Sequence, residues 1–188
     1  MIVGIDYGSK LAGTTVIAFE NEGEITLMSS KKNQDADRMI LDFVDEYNPK
    51  LIGLDAPLSL PGVYSNPERF DDYFYRLADK EVSAMSPMFL GGLTARAMKL
   101  KSLIGAKTEV IEVYPSMRAK SLNLSEFAYK KKGADYSKML KRILDTSELP
   151  DLKTSHELDA ILALQIALAF RRGNAVDVGT VEEGIIYY

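Results

Sequence analysis

Two aspartates close short apolar runs in this chain: Asp6 after Met1-Ile2-Val3-Gly4-Ile5, and Asp55 after Leu51-Ile52-Gly53-Leu54. A run of that length ending on a carboxylate and then a glycine or proline is the pattern of a buried strand whose tip holds a charge. Two carboxylates brought side by side repel and raise each other's proton affinity, and a divalent cation between them relieves both effects. A second acidic locus opens the stretch Thr154-Ser155-His156-Glu157-Leu158-Asp159-Ala160. His156 and Asp159 are three residues apart and share one face of a helix. From Leu158 onward that helix is apolar almost all round, so it is buried, and a charged residue at its mouth needs a partner. Glu157 lies three residues after Thr154, the capping-box spacing, which gives it a structural task at the helix start.

The elements that must position these residues follow from the pattern around them. Thr14 to Phe19 is a β-branched run able to pair antiparallel with the first strand after a turn at Leu11-Ala12-Gly13. Glu20 to Glu24 is a polar hairpin loop, and Ile25 to Ser29 a third strand. Asn33 to Tyr47 reads as a helix, with Met39, Ile40, Phe43, Val44 and Tyr47 at spacings of three and four, and Asn48-Pro49 ends it. A strand, helix and strand in succession require a parallel right-handed crossover. The fourth strand then lies beside the first with both carboxyl ends at one edge, making Asp6 and Asp55 neighbours.

Residues 57–107 read as an insertion near the strand tips, where loops carry substrate contacts. A short helix is expected over Glu68 to Lys80; its Phe70, Tyr73, Phe74 and Tyr75 either pack on the domain or stack on bases. Leu93 to Ile104 is a helix with Leu93, Ala97, Leu100 and Ile104 inward, leaving Arg96 and Lys99 to face a phosphate or a carboxylate. Thr108 to Tyr114 is the fifth strand. Its Glu112 is either a further metal ligand or the partner of Arg76 or Arg96. Helices are expected between Ser116 and Thr146, one short piece after Pro115 and one from Tyr136 to Leu144, separated by the basic loop Lys130-Lys131-Lys132-Gly133. The last helix runs to about Arg172, and Ile185 to Tyr188 adds a terminal edge strand.

Composition narrows the classes. At 188 residues with 46% hydrophobic and 27% charged residues, the chain reads as one folded domain over 1–188. It has no cysteine, which excludes disulfides, thiolate zinc sites and a cysteine nucleophile. The longest apolar run, Ala160 to Phe170, falls short of the roughly 20 residues of a membrane span, and a soluble, cytoplasmic protein with no membrane partner is expected. The net charge of -4 is unevenly spread: Lys99 to Arg142 holds eleven basic residues against four acids, leaving -11 elsewhere. Such asymmetry suits a phosphate-facing patch beside an acidic cleft.

Taken in order, Asp6-Tyr7-Gly8 after strand one, Asp55-Ala56-Pro57 after strand four, Glu112-Val113-Tyr114-Pro115 at strand five and a terminal helix opening on Asp159-Ala160 resemble the family called domain of unknown function 429, with Arg96 included. Its relatives include the RuvC-type junction resolvases. The resemblance implies an α/β, RNase H-like fold: a mixed five-stranded sheet with helices on both faces and a helical insertion after strand four. It also implies a nuclease, hydrolysing phosphodiester bonds of DNA or RNA with Mg2+ or Mn2+. Asp6 would bridge two ions about 4 Å apart, with Asp55 on one side and Asp159 with His156 on the other. His156 stands where many RNase H-like enzymes have a carboxylate; imidazole can bind manganese or align the attacking water. Arg96, Lys99, Lys130, Lys131 and Lys132 are the candidate phosphate contacts. Two other classes are open, a noncatalytic nucleic-acid- or protein-binding module on the same fold and a relative of actin-like ATPases, which use two such domains.

Overall fold

In a computed structural model, which describes residues 1–144 and 149–188, β1 (Ile2–Asp6), β2 (Val16–Asn21) and β3 (Glu24–Ser29) form an antiparallel meander. The helix α1 (Ala36–Tyr47) crosses over to β4 (Leu51–Asp55), which pairs parallel with β1 in a register that sets Gly4 against Gly53 and Asp6 against Asp55. The Asp35 carboxylate accepts from the Asp37 and Arg38 amides and so starts α1; Asn48, at φ 44°, ends it. Next come the insertion helices α2 (Leu77–Val82), α3 (Pro87–Leu90) and α4 (Gly92–Ile104), then β5 (Glu109–Val113), parallel to β4. The chain continues through α5 (Pro115–Ser121), α6 (Tyr136–Ile143) and α7 (Ser155–Arg171), and ends in β6 (Asp177–Thr180) and β7 (Gly184–Tyr187). Among the described residues the sheet order is β3-β2-β1-β4-β5-β7-β6.

The sheet thus has seven strands where five were expected, and the C-terminal strand is interior. β7 pairs parallel with β5, and the short β6 takes the edge, its Gly179 at φ 97° carrying no side-chain signal of a strand. In the insertion, the expected helix over Glu68 to Lys80 forms only from Leu77; before it the chain runs through turns and irregular backbone, and Asp72 accepts from the amides of Phe74 and Tyr75 and holds one of those turns. The end of the expected helical stretch at Asp145-Thr146 lies outside the described residues.

Strand alternation decides what faces what. Val3 and Ile5 of β1, with Ile52 and Leu54 of β4, pack against Met39, Ile40 and Phe43 of α1 and Ala97 and Leu100 of α4. Gly4, Asp6, Gly53 and Asp55 are on the other parity, the face covered by α7. Helix α7 lies directly on that face because the two glycines leave room: a Cβ on Gly4 would sit 2.0 Å from the Leu164 amide nitrogen, and one on Gly53 2.9 Å from the Ala163 carbonyl. Its buried run Leu158 to Leu164 with Ile166 and Ala167 fixes the helix by packing, each fully buried Leu or Ile contributing roughly 1.5–3 kcal/mol. No helix among the described residues is long and apolar enough to cross a membrane.

Candidate metal centre

Three elements deliver one carboxylate each to the same point. Asp6 and Asp55 are register partners at the ends of β1 and β4. Asp159 is in the first turns of α7, which the capping box at Thr154 starts. One oxygen from each of the three lies within 4.8 Å of the others, and the group can hold a metal ion. Asp6 and Asp159 are buried, and burial together with Asp6 and Asp159 pushes the Asp55 carboxyl well above its ordinary range. Among the described residues no hydrogen bond reaches the Asp55 side chain.

Three neighbours partly meet the excess charge. The His156 Nδ1 lies 2.8 Å from Asp6 Oδ2, and this hydrogen bond raises the imidazole pKa against the effect of burial. Lys130 Nζ is 2.8 Å from Asp159 Oδ2, and the Tyr129 hydroxyl donates to Asp159 Oδ1 at 2.5 Å. Burial and the Asp159 charge push the Tyr129 phenol up, so it stays a donor. Burial also raises the Asp159 carboxyl, with Lys130 opposing. His156 therefore orients Asp6 through Nδ1, and Tyr129 and Lys130 each engage one oxygen of Asp159.

The other expected site residues are elsewhere. For Glu112 the arginine alternative holds and the metal-ligand one does not: it pairs in register with Leu54, one residue off the parity of Asp55, so its side chain leaves the opposite face of the sheet. There Arg76 takes both of its oxygens, at 2.6 and 2.8 Å, and the Leu58 amide donates to one of them. Arg96 is held by Asp37 at 2.6 and 3.1 Å, donates to the Gly8 carbonyl and stacks over the Tyr7 ring, so the carboxylate alternative applies rather than a phosphate. Lys99 lines a separate cleft with Lys10, Asp35 and Arg38. Lys131 and Lys132 are exposed beside Lys130. Glu157 performs its cap, accepting from the Thr154 amide at 2.8 Å.

Tyr129 and the inward turn of Lys130 were not foreseeable from pattern alone. Lys130 adopts φ 55° between Ala128 at 59° and Gly133 at 83°, a loop path that lysine-rich composition does not announce. The donor set is all carboxylate oxygen, which suits a hard divalent cation. Oxygens on one Mg2+ are at most about 4.2 Å apart, and three oxygens within 4.8 Å of one another are near that geometry. Compared with protein-family models, curated proteins and solved structures, the chain finds no match.

Proposed function

We propose that the chain is an RNase H-like nuclease that hydrolyses phosphodiester bonds of nucleic acid with Mg2+ or Mn2+ held by Asp6, Asp55 and Asp159. The observation that carries this reading is the meeting of those three carboxylates, from two strand tips and a helix start, within 4.8 Å at one sheet edge. Further support comes from the antiparallel meander followed by parallel β4 and β5, the arrangement expected of an RNase H-like sheet.

A bound divalent ion supplies charge to a phosphoryl oxygen and acidifies water. The chain's own residues provide the rest. His156 fixes the rotamer of Asp6 from the solvent side, being less buried than its partner. Lys130, 2.8 Å from Asp159, would set a positive charge beside a phosphate bound at the three carboxylates. Lys131 and Lys132 add positive charge along the approach.

The test is cleavage of end-labelled single strands, an RNA/DNA hybrid and a four-way junction with Mn2+ or Mg2+. Asp6→Asn is expected to lower metal-dependent cutting by at least about 100-fold, the scale of losing one electrostatic partner of a reacting group, with folding retained by circular dichroism. Wild-type rates in that variant would remove Asp6 from the mechanism. The second reading, a noncatalytic binding module, is favoured by the partners that Tyr129, Lys130 and His156 already give the acids. Calorimetry separates the two, since that module takes up no Mn2+ at Asp6, Asp55 and Asp159.

A further inference from the structure

Between the carboxylates and the insertion lies a cleft of about 250 Å3 whose walls the metal chemistry leaves unused. Asp6 and Asp55 form one end. Tyr7, Pro57, Met85, Leu90, Leu93 and Tyr114 wall the rest. Asp79 and Glu112 also border it, but both are tied to Arg76. Beyond its acidic end the slot is therefore mostly apolar. Its volume is below the roughly 300–1,000 Å3 of sites that enclose drug-sized ligands, so it has room for one small ring system.

The two flanks of the carboxylates differ in chemistry. On the insertion side, Phe89, next to Leu90, is 62% exposed and packs on Phe74, 52% exposed, with ring centroids 5.6 Å apart; Met85 is 60% exposed. Exposed aromatics gathered in one patch mark a contact surface more than scattered ones do. On the side of α7, Lys130 reaches Asp159 and Ser116, with Lys131 and Lys132 following it into solvent. A ligand that fits both flanks has a polyanionic chain along the lysines and flat apolar rings toward the insertion. A duplex keeps its bases stacked inside and offers the slot nothing, whereas an unpaired nucleotide offers a ring with a π-face.

We propose that this cleft takes one unpaired nucleobase of the strand whose phosphate lies at Asp6 and Asp55, which makes single-stranded or locally unpaired nucleic acid the substrate class. The assignment rests on the nuclease reading and deepens it. Met85 and Leu90 form the wall the base meets, and the Phe74 and Phe89 pair stacks on the next base along.

The experiment uses the full chain with Mn2+ and two end-labelled single strands, identical except for one abasic site walked along the sequence. An abasic site at one fixed register from the cut lowers cleavage by about 5- to 100-fold, the range of a lost base–aromatic stack; elsewhere it has little effect. Binding is read separately by 2-aminopurine fluorescence at that register, with Ca2+ replacing Mn2+. Met85→Glu causes the same loss on the intact strand, no further loss on the abasic one, and no fall in Tm, because Met85 is exposed. Equal cutting of abasic and intact strands at every register overturns the base pocket and leaves the nuclease reading standing. Cutting of neither strand while the RNA/DNA hybrid or the four-way junction is cut overturns the single-strand assignment alone, and cutting of none of them overturns both readings.

Discussion

Two clusters of buried carboxylates meet the same sheet edge from opposite faces, and they differ in who answers their charge. On the insertion side Arg76, wholly buried, spends all five of its N–H donors: two on Asp79, two on Glu112 and one on Ser59, at 2.6–3.0 Å. Ser59 donates to the Glu183 carbonyl, and the Glu183 carboxylate accepts from the Gly62 and Leu77 amides. The network ties the insertion to β5 and to the turn before β7, and the neighbouring carboxylates hold Arg76 in its charged form. On the α7 side Asp6, Asp55 and Asp159 have one lysine at 2.8 Å, one imidazole and a phenol among them. Acids that the chain neutralises itself serve architecture. Acids left in excess are poised for a cation from outside.

Arg76 is the residue on which the self-neutralised cluster depends most. Arg76→Met leaves Asp79 and Glu112 buried without their cation, and the expected loss is about 3–5 kcal/mol of folding stability, read by urea denaturation. It also loosens the insertion over the cleft, so 2-aminopurine binding falls with it. A loss under about 1 kcal/mol would mean that the network is incidental to holding the insertion.

The α7 side depends on closeness rather than charge. Gly4→Ala places a methyl group 2.0 Å from the Leu164 nitrogen and 2.4 Å from the Ala160 carbonyl, both backbone, so α7 must lift. Destabilisation of about 1–3 kcal/mol is expected, the scale of overpacking a core. Asp159 moves with the helix, so Mn2+ affinity falls as well. Gly92→Ala, which meets nothing within 4 Å, is the control and stays within about 0.5 kcal/mol of wild type. Equal effects of the two would remove close packing as the reason for glycine in β1.

Much of this is legible in the sequence. The tips at Asp6 and Asp55, the crossover that makes them neighbours, the α1 core face and the capping box of α7 all follow from local pattern, and the described elements agree to within a few residues. What the pattern concealed depends on register and on side chains reaching across the fold. Glu112 belongs to the wrong parity for the metal centre, a fact set by the pairing of Leu54 with Glu112 rather than by its own neighbours. Arg76, Arg96 and Lys130 each found a carboxylate distant in sequence, at Glu112, Asp37 and Asp159, and a charged residue's type does not say which. The glycines at 4 and 53 read as ordinary strand residues until the helix above them is seen. β6 escapes the pattern, and β7 reads as an edge strand rather than an interior one, because four-residue strands with glycine at φ 97° and 101° carry little period-two signal.

The finest distinction between the two clusters is a matter of protons. Burial and the charges of Asp6 and Asp159 raise the Asp55 carboxyl well above its ordinary 3.8 in the folded chain. Between that value and the raised one, the folded state therefore holds a proton that the unfolded state has released. Stability contributed by this group falls as pH rises through that window, the opposite of a salt-bridged aspartate. Asp55→Asn removes the charge without changing the shape, so without metal at neutral pH the variant is expected to be more stable by about 0.5–2 kcal/mol, the usual scale of relieving a site strained for function. Its stability also declines less between acid and neutral pH. Saturating Mn2+ reverses the order: wild type gains about 2.7 kcal/mol at a hundredfold excess over Kd, while the variant, short of one ligand, gains less. Thermal melts at several pH values, with and without Mn2+, read both effects. A variant less stable than wild type without metal at neutral pH would show that Asp55 is architecture, like Glu112, and would erase the contrast between the two clusters.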